Sequence, residues 1–261
     1  MKTKPVYILI TIVITSCILS ACGKSRAVEN PPPTVDEASI EEALDHSANG
    51  FRDREDISKL RNAVEILAHV RDPENRNFQV EVRFAEYNYF LGIHSDDQKE
   101  SEAAFEKGKE AGKIASKIEP SRPDGYFWYA ANLGELSKRS PVTVGITSVD
   151  DIKEAMNKVI ELQPNYQGAS AFDALAQVEL ATRLTTGNAE RAVEYLERGV
   201  SIEDDNSNLH LHLAEAYLAV HRDNEAKKQL EHVLNMTPNP DYLPEHRAAV
   251  AAARKLLQTK F

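Results

Sequence analysis

The stretch SNLHLHLAEAYLAVHRDNEAKKQLEHVLNMTPNP, Ser207 to Pro240, decides how the chain is built. Leu213, Ala214 and Tyr217 fall three and four residues apart, which places them on one face of a helix. Ala226, Leu230 and Val233 form a second stripe of the same kind. Between the two, His221-Arg222-Asp223-Asn224 turns the chain, and Pro238, with no N–H to donate, ends the second helix. Alanine at 214 and 226 lets two backbones approach while the larger side chains fill the space beside them. Such a helical pair cannot bury both stripes alone, so it calls for neighbours of the same construction.

Working outward, the same construction recurs. Measured back from Pro120, Gly108, Gly112 and Ala115 stand where Ala226, Leu230 and Val233 stand relative to Pro238, and Phe84-Ala85-Glu86-Tyr87 echoes Leu213-Ala214-Glu215-Ala216. A pair is therefore expected over Asn77–Leu91 and Gln98–Ile118. Glycine inside a helix costs about 0.5–1 kcal/mol relative to alanine, so Gly108 and Gly112 imply a close approach, either by a neighbouring backbone or by a ligand. An atypical first pair is expected over Val35–Gly50 and Arg52–Val70. A third opens at Pro123-Asp124-Gly125 and continues through the loop SPVTVGIT into a helix capped by Ser148 and ended by Pro164. Gln167–Thr186, with a first helix about one turn longer than usual, pairs with Asn188–Ile202, after which Asp204 takes the place of the proline. Leu243-Pro244 opens a last helix through Leu257, whose Val250, Ala253, Leu256 and Leu257 cover one side only, as a closing helix should. The period of about 34 residues and the small-then-large packing positions resemble the tetratricopeptide (TPR) repeat. The expected fold is all-α, a TPR-like helical-hairpin solenoid over residues 35–261 with a C-terminal capping helix.

The first residues, MKTKPVYILITIVITSCILSAC, read as an export signal over 1–21: a basic start, an apolar run from Val6 to Leu19, then small residues. The run is short for a membrane span, which needs about 20 apolar residues. Leu19-Ser20-Ala21-Cys22 resembles a bacterial lipobox, which implies cleavage before Cys22, diacylglyceryl attachment to its sulfur and acylation of the new amino terminus. Gly23 in place of an aspartate resembles the pattern passed on to the outer membrane of a Gram-negative envelope. Residues 22–34 end in Pro31-Pro32-Pro33 and read as an extended spacer between a lipid-anchored Cys22 and a periplasmic domain. Cys17 and Cys22 are the two cysteines, so the mature chain has none to spare for a disulfide or a cysteine metal site. The net charge is −10 and becomes more negative without Lys2 and Lys4, which disfavours nucleic acid as a partner.

Catalytic chemistry has no foothold in the spacings. The eight histidines are scattered, and His210 and His212 stand two apart, so on one helix they point in different directions and cannot chelate together. Neither a cofactor nor a metal is expected, and each histidine reads as a surface or packing residue. The informative cluster is aromatic: Phe84, Tyr87, Tyr89 and Phe90 on one first helix, and Tyr126, Phe127, Trp128 and Tyr129 on the next. Four consecutive aromatics wrap more than one helix face, so some are expected to line a concave surface or pocket. Asn132, one turn beyond Trp128, and Asn88, one turn beyond Phe84, each place an amide near an aromatic wall. The candidate binding residues are therefore Phe84, Asn88, Tyr126, Trp128, Tyr129 and Asn132. As surface groups, Trp128 and Asn132 would be replaceable with little change in melting; the competing reading makes the aromatics ordinary repeat core.

Arg122-Pro123-Asp124-Gly125-Tyr126-Phe127-Trp128-Tyr129-Ala130-Ala131-Asn132-Leu133-Gly134, with Val144-Gly145-Ile146 and a helix ending Leu162-Gln163-Pro164, resembles the TPR lipoproteins known as the T component of TRAP transporters. That resemblance implies a lipid-anchored periplasmic protein that partners a solute-binding protein for small organic acids or other hydrophobic ligands, sometimes as a homo-oligomer. The long acidic helix over Glu100–Ile118 departs from plainer members. The alternative is a general envelope scaffold in outer-membrane or secretion-complex assembly.

Overall fold

The computed structural model describes residues 36–139 and 146–261. The export signal, Cys22, the spacer through residue 34, and residues 140–145 of the expected loop lie outside the described residues. Eleven α-helices and one 3-10 turn make up the rest, and no strand occurs among the described residues. They are α1 (Glu37–Arg52), α2 (Ile57–Val70), α3 (Phe78–His94), α4 (Gln98–Ile118), α5 (Pro123–Arg139), α6 (Ile146–Leu162), α7 (Ser170–Ala181), α8 (Ala189–Ile202), α9 (Ser207–Ala219), α10 (Asp223–Asn235) and α11 (Leu243–Lys260), with the 3-10 turn at Pro240–Tyr242. Consecutive helices pair as five hairpins, each packed on the next, and α11 closes the stack against α9 and α10. No helix of the described residues is long and apolar enough to cross a membrane.

Local chemistry starts most of these helices. Asp36, Asp56, Asn77, Asp97, Asn188 and Asn206 each accept a backbone N–H of the first turn, satisfying donors that have no intrahelical partner. At the seam between α4 and α5, three glycines remove the side chains that would hold the backbones apart. A Cβ on Gly112 would lie 2.4 Å from Tyr129 N, one on Gly125 2.2 Å from Ser116 N, and one on Gly108 2.3 Å from Asn132 Oδ1. Neighbouring chain, rather than a ligand, explains the glycines of α4.

The core runs through the stack in two adjoining clusters. Tyr87, Leu60, Leu67 and Trp128 centre the first, and Phe172, Leu196, Leu213 and Leu230 the second. Two buried carboxylates cross-link elements: Glu81 of α3 meets Arg71 at 2.8 Å and Arg76 at 2.9 Å, and Glu179 of α7 meets Lys153 of α6 at 2.7 Å.

Three expectations need correction. α1 continues through Gly50 to Arg52, because the missing side chain there leaves room for the Lys59 carbonyl of α2, 2.9 Å from where a Cβ would stand. α6 begins at Ile146, so Ser148 lies inside the helix instead of capping it, and Asp151 accepts from the Tyr129 hydroxyl at 3.2 Å. α7 is 12 residues long, shorter rather than longer than usual. Gln167, Gly168 and Ala169 all adopt left-handed backbone conformations, with φ of 50°, 61° and 59°, which no α-helix accommodates, and Asn206 fixes them by donating to the Gly168 carbonyl at 2.7 Å.

Candidate functional site

The first helices of successive hairpins face one side of the stack and enclose a cavity of about 1740 Å³. Helix geometry decides which aromatics reach it. On α3, Phe84, Tyr87, Asn88 and Leu91 point between hairpins and are buried, whereas Tyr89, Phe90, Ile93 and His94, rotated round the helix, line the cavity. On α5, Phe127, Trp128 and Ala131 line it while Tyr129 turns towards α4 and α6. Trp128 is the hub, with ring centroids 5.0 Å from Phe127, 5.6 Å from Tyr89 and 6.2 Å from Phe90. Its ring is 3% exposed, and its Nε1–H has no acceptor among the described residues. Burial pushes the Tyr89 hydroxyl well above the ordinary tyrosine range, and it stays protonated as a donor.

The other end of the cavity is polar. His212 of α9 sits with Nδ1 2.7 Å from Asp173 Oδ1 of α7, and Glu215 stands one turn further along α9. Burial pulls the His212 pKa down, but the Asp173 carboxylate beside it outweighs this, and the net shift is upward. Burial raises Glu215 above the usual carboxylate range, with His212 opposing and Asp173 adding to the rise. The rim is completed by the C-terminal elements. Glu245 of α11 receives both arms of Arg54 from the α1–α2 turn, at 2.8 and 3.0 Å, and the guanidinium also donates to the Asp241 carbonyl at 3.0 Å and lies over the rings of Phe51 and Phe90. Arg247 reaches Glu55 at 2.9 Å beside it.

The six binding residues expected from the sequence are thus divided. Trp128 lines the cavity. Asn132 is fully buried, donating to Trp128 O at 2.7 Å and to Ala85 O at 3.2 Å across to α3. Asn88 is buried and donates back to Phe84 O at 2.8 Å, and Phe84 lies under the Arg71 guanidinium. Tyr126 donates to Pro120 O at 3.3 Å, and Tyr129, its hydroxyl pushed up to about 12 by burial and Asp151, is held by that carboxylate. Tyr89, Phe90 and Phe127 belong to the aromatic cluster read from the sequence but not to the binding residues expected from it, and Asp173, His212 and Glu215 carry no such expectation. The aromatic three were within reach of a helix-phase count on α3 and α5, but the polar three come from two helices whose relative rotation no single repeat reveals.

Stacked hairpins of this register, capped by a lone helix and lining one groove with their first helices, define a TPR-type helical scaffold, a fold that works by presenting a concave face to other proteins. The chain belongs to the family described as regulator of microtubule dynamics protein 1-3, whose model matches residues 40–171. A tetratricopeptide-repeat model matches residues 183–253. Among solved structures, a TPR protein of Thermus thermophilus is similar at 16% identity and a TM-score of 0.61, covering 85% of this chain and 100% of that one. PilF of Pseudomonas aeruginosa is similar at 15% identity and a TM-score of 0.50, covering 85% of this chain and 90% of that one. At these identities the likeness is one of fold. No curated protein matches. The family matched differs from the one that residues 122–134 resemble, and no catalytic family is indicated.

Proposed function

We propose that this protein is a non-enzymatic scaffold that captures a segment of a protein partner in the cavity between α3, α5, α7, α9 and α11. One observation carries the reading: an aromatic wall of Tyr89, Phe90, Phe127 and Trp128 faces, across one cavity, a polar end formed by Asp173, His212 and Glu215. An apolar or aromatic side chain would anchor on the wall, and cationic or amide groups further along would meet the acids. The family description names regulators of microtubule dynamics, and an interaction role is what the groove supports.

In its finer form, the scaffold is held to the periplasmic face of a bacterial envelope by acyl chains on Cys22, and its partner is the solute-binding protein of a TRAP-type system or the organic acid that protein delivers. The lipobox-like Leu19–Cys22 and the stretch Arg122–Gly134 support this form.

A photo-crosslinking residue placed at Ala131, on the cavity wall, tests the capture. It should give a discrete adduct in intact cells that Trp128→Phe weakens several-fold, while the same probe at the exposed Lys107 gives none. Equal adducts at both positions would reject the groove. An adduct that is a solute-binding protein supports the finer form; an assembly or secretion component would replace it with the general scaffold. Radiolabelled palmitate should enter the chain and be lost in Cys22→Ser.

A further inference from the structure

Outside the cavity, the last hairpin gathers groups that the sequence keeps far apart. Asp204 lies in the loop after α8, His210 on the first turn of α9 and His232 on the last turn of α10, and one ligand atom from each lies within 4.8 Å of the other two. The two imidazoles lie with centroids 4.2 Å apart and planes tilted by 37°, and His210 Nε2 is 3.3 Å from Asp204 Oδ1.

The partners of His210 give the cluster its direction. The residue is 2% exposed, and its Nδ1 lies 2.7 Å from Gln229 Oε1, so with that amide oxygen presented the ring carries its proton on Nδ1 and donates it there. The Nε2 lone pair is then turned towards two further oxygens, the Asp204 carbonyl at 3.0 Å and the Asp204 carboxylate at 3.3 Å. A neutral nitrogen facing two acceptors is repelled unless a positive charge stands between them. A histidine whose outer nitrogen is fixed by an amide oxygen, with its inner nitrogen aimed at a carboxylate and a second imidazole, is the arrangement that orients a metal ligand. We propose that Asp204, His210 and His232 bind one divalent transition-metal ion of the zinc class, clipping the α8–α9 loop to the α9–α10 hairpin.

Two imidazoles and a carboxylate suit zinc, nickel or copper rather than magnesium or calcium, which prefer all-oxygen shells. Bonds of about 2.0–2.1 Å around a tetrahedral ion put ligand atoms about 3.3 Å apart. His232 and Asp204 are exposed and free to rotate inward by the remainder, whereas buried His210 is already fixed. The site lies on a different stretch from the aromatic wall, so its presence does not depend on what the cavity holds.

Calorimetric titration of zinc chloride into the full chain, after stripping with chelator, tests the proposal. One equivalent should bind, with affinity falling about tenfold or more in His232→Ala and in Asp204→Ala. Gln229→Ala should weaken binding to a lesser degree, and His69→Ala, at an exposed position of α2, should leave it unchanged. His232 and Asp204 are exposed, so these variants keep the fold, which far-ultraviolet circular dichroism checks. Absorption of the cobalt-substituted chain should show the strong visible bands of a four-coordinate site and lose them in both variants. Absence of binding in the unaltered chain, or affinity unchanged in the Asp204 and His232 variants, would overturn the proposal and leave His210 as a core histidine whose Nε2–H donates to Asp204 and whose Nδ1 accepts from a turned Gln229 amide.

Discussion

A methyl group added at Gly112 and one added at Gly134 should move stability in opposite directions. At 112 the new Cβ would stand 2.4 Å from a backbone nitrogen of α5, so two helices must separate, and Gly112→Ala should cost about 2–4 kcal/mol. At 134 nothing lies within 4 Å, and Gly134→Ala should gain about 0.5–1 kcal/mol through helix propensity alone. Urea unfolding of the two variants measures both, and a neutral Gly112→Ala would show that the α4–α5 seam is looser than its geometry. Asn132 follows the same logic of burial. It reads from the sequence as a ligand-facing amide whose loss spares melting, yet it bridges Trp128 O and Ala85 O in the core. Asn132→Ala should lower stability by about 1–3 kcal/mol, since it removes the buried hydrogen bond from α5 to α3 and leaves a cavity at the seam, while the folded fraction still captures a groove partner. The aromatic stretch was legible as a cluster but not as a surface: four consecutive rings must diverge, and which of them meets the cavity depends on how α5 is rotated against α3 and α4. The glycines at 108, 112 and 125 set that rotation.

At the scale of elements, hairpin order was readable because the second helices from α4 onward repeat one spacing before a stop, and the first helices α1, α3 and α9 begin at a side-chain cap. The misreadings fall where backbone or pairing rules interrupt the pattern. Three consecutive left-handed residues at 167–169 shorten α7, although Gln167 and Ala169 carry no turn signature of their own. Links between hairpins are side-chain events, and Arg61 of α2 with Glu100 on the first turn of α4 is an exposed example. Arg61 donates through two nitrogens at 2.6 and 2.8 Å, Ser95 adds its hydroxyl, and these hold the Glu100 carboxyl down to about 2. An unfolded glutamate titrates near 4.3. The folded value is depressed, so the contribution is present above about 4.3 and lost as pH falls through about 2. Glu100→Gln should therefore melt below the unaltered protein at pH 6 in low salt, with the gap closing towards pH 2. Salt should narrow the gap at pH 6 too, because Arg61 is half exposed and the pair is screened. A gap that is constant with pH would show that the pair contributes packing and not charge.

Across residues 36–261, the first hairpin and the last helix are far apart in sequence yet meet at Arg54. Helix packing supplies little there: α11 rests on α9 and α10, and the polar link to the α1–α2 turn runs through the Arg54–Glu245 and Arg247–Glu55 pairs. Arg54 is 7% exposed, forks onto Glu245, donates to the Asp241 carbonyl and lies over Phe51 and Phe90, so its charge is desolvated and matched on every side. No repeat pattern could foretell this, because the pair joins the two least regular parts of the stack, separated by 191 residues. The same contact closes one side of the cavity, since Phe90 belongs to the aromatic wall and Glu245 to its rim. Removing one member of a buried, matched pair strands the other, at a cost of about 3–5 kcal/mol when both are enclosed; Glu245 is about a quarter exposed, which places Glu245→Gln lower, at about 1–3 kcal/mol. The decisive readout is local. Hydrogen exchange in Glu245→Gln should quicken in α11 and the α1–α2 turn while α4, α5 and α9 keep their protection, and groove capture should gain in rate of entry and lose in residence time. The exposed pair tests the attribution: Arg247→Ala, at a rim position where both partners are more than half exposed, should move stability by less than about 1 kcal/mol and leave the exchange of α11 as it was. Exchange that quickens evenly through every helix in Glu245→Gln would instead make Arg54 an ordinary core residue, with the cavity's closure resting on the stacked hairpins alone.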